Sequence, residues 1–203
     1  MKPGITVSAS GMASAPPDHC LVTIGASQAA TTVAEAMTTV NDRIDALIEA
    51  LSGESIATSS IQTVDLSIWP EHDREGSPTG FRVRNMVRIE IDELEKVGTV
   101  VAAATARLGN SAEMQGITFL LVDRAAIEAK ARSLAWSAAR SKAEQLATEA
   151  EVRLGTVVSI VESATPVPGR PMMTAMAMAE AAPIEAGTTS VRVDITVRFA
   201  LAG

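Results

Sequence analysis

The 203-residue chain has no tyrosine, three phenylalanines, two tryptophans and one cysteine. It also contains no run of about 18 consecutive apolar residues, the length a spanning helix needs. Each shortage excludes something. A single cysteine, Cys20, rules out an intramolecular disulfide and a multi-cysteine metal cluster. Scarce aromatic rings leave no stacking platform for single-stranded nucleic acid, and a formal charge of −7 denies a duplex the positive footprint that phosphate binding requires. Nucleic acid is therefore excluded as a partner and no transmembrane span is expected. The opening MKPGITVSASG has one lysine and no apolar segment of the signal-peptide kind. As written, the chain reads as cytoplasmic; as a trimmed mature form it would belong to the periplasm or cell envelope.

What is present is a core of valine, isoleucine, leucine, methionine and many alanines, which pack closely but bury little area each. Val33, Met37, Val40, Ile44, Leu47 and Leu51 recur at steps of three and four, placing a stripe on one helix face that stops near Gly53. DELEKVGTVVAAATARLG, with its acidic first turn and closing Gly109, predicts a second helix. The Ala-rich run after Asp123 predicts a third, with Ile127, Ala131, Leu134, Ala138 and Leu146 inward.

Strands follow from a period of two. ITVSASGMASAPPDHCLVTIGAS reads as two short strands forming a hairpin-like pair, interrupted by Pro16 and Pro17. Val64, Leu66 and Ile68, then Phe81, Val83, Val87, Ile89 and Ile91, mark two half-buried strands joined across PEHDREGSPTG. GITFLLVD, TVVSIVESA and TSVRVDITVRFAL complete the set. The order ββ-α-ββ-α-β-α-ββ predicts an α+β fold, a mainly antiparallel sheet with about three helices on one face. No disordered linker or strong repeat divides the chain, so residues 1–203 read as one domain with a Met/Ala/Pro-rich arm at about 166–187.

Four places attract a functional reading. In PGRPMMTAMAMAEAAPIEAG, the thioethers of Met172, Met173, Met176 and Met178 are soft ligands suited to Cu(I), but methionine equally serves adaptable contact surfaces. Contact is the favoured reading, with Arg170 and these methionines as interface residues. His19 beside Cys20 suggests a Cys-His nucleophile, yet neighbours in a strand point to opposite faces, which favours a buried thiol and an edge histidine. Glu71, His72, Asp73 and Glu75 form either a weak divalent site or a solvated hairpin loop. Arg82, Arg84, Arg88, Arg192 and Arg198 would line one basic stripe if their strands were neighbours; cross-strand pairing with Glu90 and Asp194, completed by Asp65 and Glu162, is the alternative. There is no phosphate loop, metallohydrolase helix or nucleophile elbow, so no enzyme and no cofactor are expected.

Several stretches resemble the SIMPL-domain family. Val7, Gly11, Pro17 and Asp18 fit its opening strand and turn, although Ala9 and Ala13 replace a usual glycine and valine. IQTVDLSIWP is similar to an I-Q-T-x-x-L-x-x-x-P strand, and TGFRVRNMVRIEI to a T-G-Y-x-x-x-N strand with Phe81 for tyrosine. Lys142, Ala143, Leu146, Ala147, Leu154, Gly155 and Glu162 fit the family's third helix and following strand. The resemblance implies a bacterial, often exported protein without agreed catalytic residues, linked by phenotype to oxidative-stress tolerance, with some members forming large ring or channel-like oligomers. The expectation is a non-catalytic protein that assembles into a homo-oligomer, with a small-ligand or Cu(I) binder as the alternative.

Overall fold

The computed structural model describes residues 3–167 and 184–202. Arg170, Met172, Met173, Met176 and Met178 lie outside the described residues, as does most of the expected arm. The elements follow the expected α+β order. They are β1 (Gly4–Ala15), β2 (His19–Ala30), α1 (Val33–Gly53), β3 (Ile61–His72), β4 (Pro78–Ile91), α2 (Val97–Leu108), β5 (Ala112–Leu120), α3 (Ala125–Glu149), β6 (Arg153–Val167) and β7 (Thr189–Ala202). All strand pairings are antiparallel, and they make two sheets, ordered β1-β7-β6 and β3-β4-β2-β5.

The hairpin expected of the first two strands does not form. β1 pairs along its length with β7, from Gly4 opposite Ala200 to Ala15 opposite Thr189, while β2 lies between β4 and β5. Pro16 and Pro17, which lack amide donors, part the two strands so that each serves a different sheet. The described chain accordingly forms two compact units, one from 3–17, 121–167 and 187–202, the other from 18–120 and 184–186.

In the second unit, α1 and α2 cover one face of the four-stranded sheet. Ala36, Val40, Ile44, Leu47 and Leu51 of α1 meet Val22, Ile24, Val87 and Ile89 in a core without aromatic residues among its fully buried members. The Thr32 hydroxyl accepts the Glu35 amide at 3.2 Å and caps α1. The acidic turn ahead of α2 is a 3₁₀ turn, Leu94–Lys96, so the helix proper begins at Val97. β3 departs from the half-buried expectation. Leu66 and Ile68 are 54% and 45% exposed, because α1 lies over β2 and β4 and does not reach this edge strand.

In the first unit, α3 lies over β1 and β7. Its inner face differs from the expected one: Ile127, Ala131, Ala135, Ala139, Ala143 and Ala147 are buried, whereas Leu134 and Leu146 are exposed. Alanine at every fourth position winds slowly around a 3.6-residue helix, which suits a twisted sheet, and its single methyl lets the helix axis come close. The approach is close at Gly11. A Cβ there would fall on the α3 backbone, against the Ala131 carbonyl and the Ala135 amide, with Leu134 Cβ at 3.0 Å.

Two glycine substitutions test this packing. Gly11→Ala must push α3 off the sheet and is expected to destabilise by about 1–3 kcal/mol, the usual range for overpacking. Gly98→Ala, in α2 with open space where its Cβ would stand, is expected to stabilise by up to about 1 kcal/mol. Urea unfolding of both variants checks the opposite signs.

Candidate functional site

The seat of α3 decides what the first unit leaves open. Because α3 spans β1 and β7, it barely touches β6, which pairs only with β7 among the described strands. Residues 156–163 of β6, TVVSIVES, are all exposed. Val157, Val158, Ile160 and Val161 are 40%, 59%, 54% and 64% exposed, and they face both sides of the sheet. This is an uncovered, strongly β-forming edge with one charged side chain, interrupted by register shifts against β7 at Leu154/Val157 and Val157/Ser159.

Between the flank of α3 and β6 opens a cleft of about 390 Å³, lined by Ala129, Arg132, Ser133 and Trp136 from the helix and by Ile160, Glu162 and Ile195 from the sheet. Trp136 is tilted against Phe199 with ring centroids 6.3 Å apart, which fixes one wall. Arg132 forks onto Glu162: Nε donates to Oε2 at 2.7 Å and Nη2 to Oε1 at 2.8 Å. That hydrogen bonding, with the guanidinium charge, lowers the Glu162 pKa below the ordinary carboxylate value and raises that of Arg132.

The opposite sheet face of this unit is polar. The Ser8 and Thr196 hydroxyls meet at 2.9 Å, as do those of Ser14 and Ser190. Arg192 Nη2 lies 2.9 Å from Asp194 and donates to the Ser10 hydroxyl at 2.8 Å. Arg192 and then Ser10 lower the Asp194 pKa by donating to its carboxylate. A smaller groove of about 300 Å³, with Val161, Ser163 and Asp194 in its wall, runs along this face.

In the second unit Arg84 is the polar hub. It reaches Asp65 at 2.8 Å and Glu113 at 3.9 Å, and lies 5.6 Å over the Trp69 ring. Ser67, then Arg84, lower the Asp65 pKa. Arg82 pairs with Glu71, and the Asp73 carboxylate takes the Glu75 and Ser77 amides at 2.9 and 2.8 Å, so EHDRE is an ordered hairpin turn. Cys20 is fully buried among the core side chains, and desolvation raises its thiol pKa to about 11. His19 points the other way, with Nδ1 3.0 Å from Asp18 and Nε2 3.1 Å from Asp92.

Of the residues singled out from sequence, Cys20 and His19 are thus parted. The arginines fall on β4 and β7, strands of two different sheets, so the single basic stripe is not formed. Pairing with Asp194 and Asp65 is found; Glu162 serves Arg132 of the helix instead. Arg132, Trp136 and the β6 valines were missed. Their only signal was a short β-branched run beside one acidic residue, which periodicity reads as an ordinary buried strand.

Residues 5–199 match SIMPL, a family of proteins of unknown function (DUF541). The 26 kDa periplasmic immunogenic protein of Brucella melitensis is 30% identical, over 96% of this chain and 83% of that protein. The uncharacterised protein YggE of Escherichia coli K12 is 27% identical, over 92% and 76%. The chain belongs to the SIMPL family.

The SIMPL-like positions prove to be mostly architectural. Gly11 admits α3, Lys142 of α3 donates to the Ser8 carbonyl at 3.1 Å, Leu154 packs on the core of the first unit, and a Cβ on Gly155 would meet the Ala200 carbonyl at 2.9 Å. Glu162 differs in lining the cleft beside α3.

Two measurements check the site chemistry. Cys20 is expected to resist iodoacetamide at pH 8 in the native protein and to react once unfolded, because only the exposed thiolate attacks. A carboxylate with a depressed pKa stabilises the fold in full at neutral pH and loses that contribution as pH falls through the lowered value. Melting temperature should therefore drop below about the ordinary 4.5 of Glu162, and less steeply in Glu162→Gln than in the unaltered protein.

Proposed function

We propose that this SIMPL protein is non-catalytic and works as an assembly, its copies joined edge to edge through β6. The observation that carries the reading is the run of exposed valines and isoleucine on an edge that α3 leaves uncovered. A strand of 15 residues offers roughly 50 Å of backbone donors and acceptors. Antiparallel pairing of two β6 strands centred on Ser159 brings Val157 opposite Val161 and Val158 opposite Ile160 of the other copy, a self-complementary contact of the two-fold kind. Few charges oppose it.

Covering the exposed parts of these side chains contributes on the order of 1 kcal/mol each on both copies. Association costs roughly 4–15 kcal/mol of lost freedom. One edge contact is then weak, and stable assembly draws on further surface. Non-catalytic character is supported by the state of the nucleophile candidates: Cys20 is buried in core packing and His19 is held between two carboxylates. The proposed compartment is the periplasm, on the name carried by the Brucella relative. There any part in stress tolerance or envelope upkeep would be exercised by the assembled surface.

Light scattering at tens of micromolar is expected to give a defined oligomer for the full chain and a smaller species for Val158→Lys/Val161→Lys, whose circular dichroism stays unchanged because both side chains are exposed. A strict monomer for the full chain, or a double variant that assembles as well as its parent, would overturn the reading. A chain lacking residues 170–183 tests the arm separately, and release of the native protein by osmotic shock tests the compartment.

A further inference from the structure

The cleft beside α3 has the size of a small-molecule site, about 390 Å³ against a usual range of roughly 300–1,000 Å³. Its composition narrows the guest. The walls are an indole, two isoleucines and an alanine, so the body of the guest is apolar. Ile195 is 4% exposed and forms a dry floor.

The polar groups in the lining are Arg132, Ser133 and Glu162, and their free valences can be counted. Arg132 gives Nε and Nη2 to Glu162, which leaves its Nη1 amino group without a hydrogen bond among the described residues. Among the described residues the adjacent Ser133 has only its backbone carbonyl engaged, by the Ser137 hydroxyl, which leaves its own hydroxyl open. Both present donors. Net charge discriminates further: Glu162 matches Arg132, so a phosphate-like dianion gains little attraction and a cation meets a guanidinium. A carbonyl oxygen, neutral or carrying a single negative charge, suits the pair.

We propose that the cleft binds a compact apolar molecule ending in a carbonyl-type acceptor, of the class of medium-chain or aryl carboxylates and their amides, with the oxygen held by Arg132 Nη1 and the Ser133 hydroxyl. This goes beyond the assembly reading and stands on different side chains. Trp136 in the wall reports occupancy, and Trp69 of the other unit is removed as background by Trp69→Phe.

Octanoate and octanamide are titrated into the Trp69→Phe protein. Each is expected to give a saturable blue shift of Trp136 emission. Arg132→Gln should weaken octanoate at least fivefold, and Ile160→Glu, at a half-exposed position, should abolish both responses with the circular dichroism unchanged. The Val158→Lys/Val161→Lys protein should bind equally, since neither side chain lines the cleft. A response with neither probe up to its solubility limit, or equal affinity in Arg132→Gln and Ile160→Glu, overturns the proposal. So does a shift that follows protein rather than probe concentration, which would give the cleft to a second copy, or binding lost only in the double lysine variant.

Discussion

Much of the first unit depends on how closely one helix approaches one sheet. α3 buries alanine at every inner-face position after Ile127, and β1 answers with Gly11, whose missing side chain leaves room for the helix backbone itself. Close packing compensates for small side chains, because contact between dense surfaces recovers in number what each methyl lacks in area. It also fixes the helix laterally. A helix held by Gly11 over β1 and β7 cannot also shelter β6, so the open edge and the cleft are consequences of the same seat.

Charge in this protein is handled locally. The described arginines of the sheets mostly meet carboxylates a strand or two residues away, as Arg82 meets Glu71, Arg84 meets Asp65 and Arg192 meets Asp194. These half-exposed pairs are individually weak. They nevertheless cancel the basic face that the arginines would otherwise present, leaving the acidic balance of the chain to dominate at long range. Arg132 differs, since its partner lies across a gap lined with apolar side chains, and it retains donors pointing away from that partner.

The sequence made the α+β class, the element order and the strand periodicity legible, because each rests on local spacing. The same spacing misread α3: leucines at 134 and 146 look like core and are exposed, since the helix needed small residues inward, and neighbouring geometry rather than hydrophobicity chose its face. The β1–β2 hairpin failed for a related reason. Proline parted the strands, and the partner of β1 lies at the far end of the chain, where no local signal announces it. TVVSIVES reads as a strand by composition; only the lateral position of α3 leaves both its faces exposed. The Arg132–Glu162 fork joins a helix to a strand 30 residues later, beyond any periodicity.

The pairing of Gly4 with Ala200 sets an order of events during synthesis. Residues 18–120 emerge as one uninterrupted stretch that contains all four strands of its own sheet and both helices that cover it. β1 is made before the other described strands, yet its hydrogen-bonding partner is β7, so it waits through the synthesis of residues 16–188 for that partner to arrive. Any factor that meets the nascent chain has that interval in which to engage it.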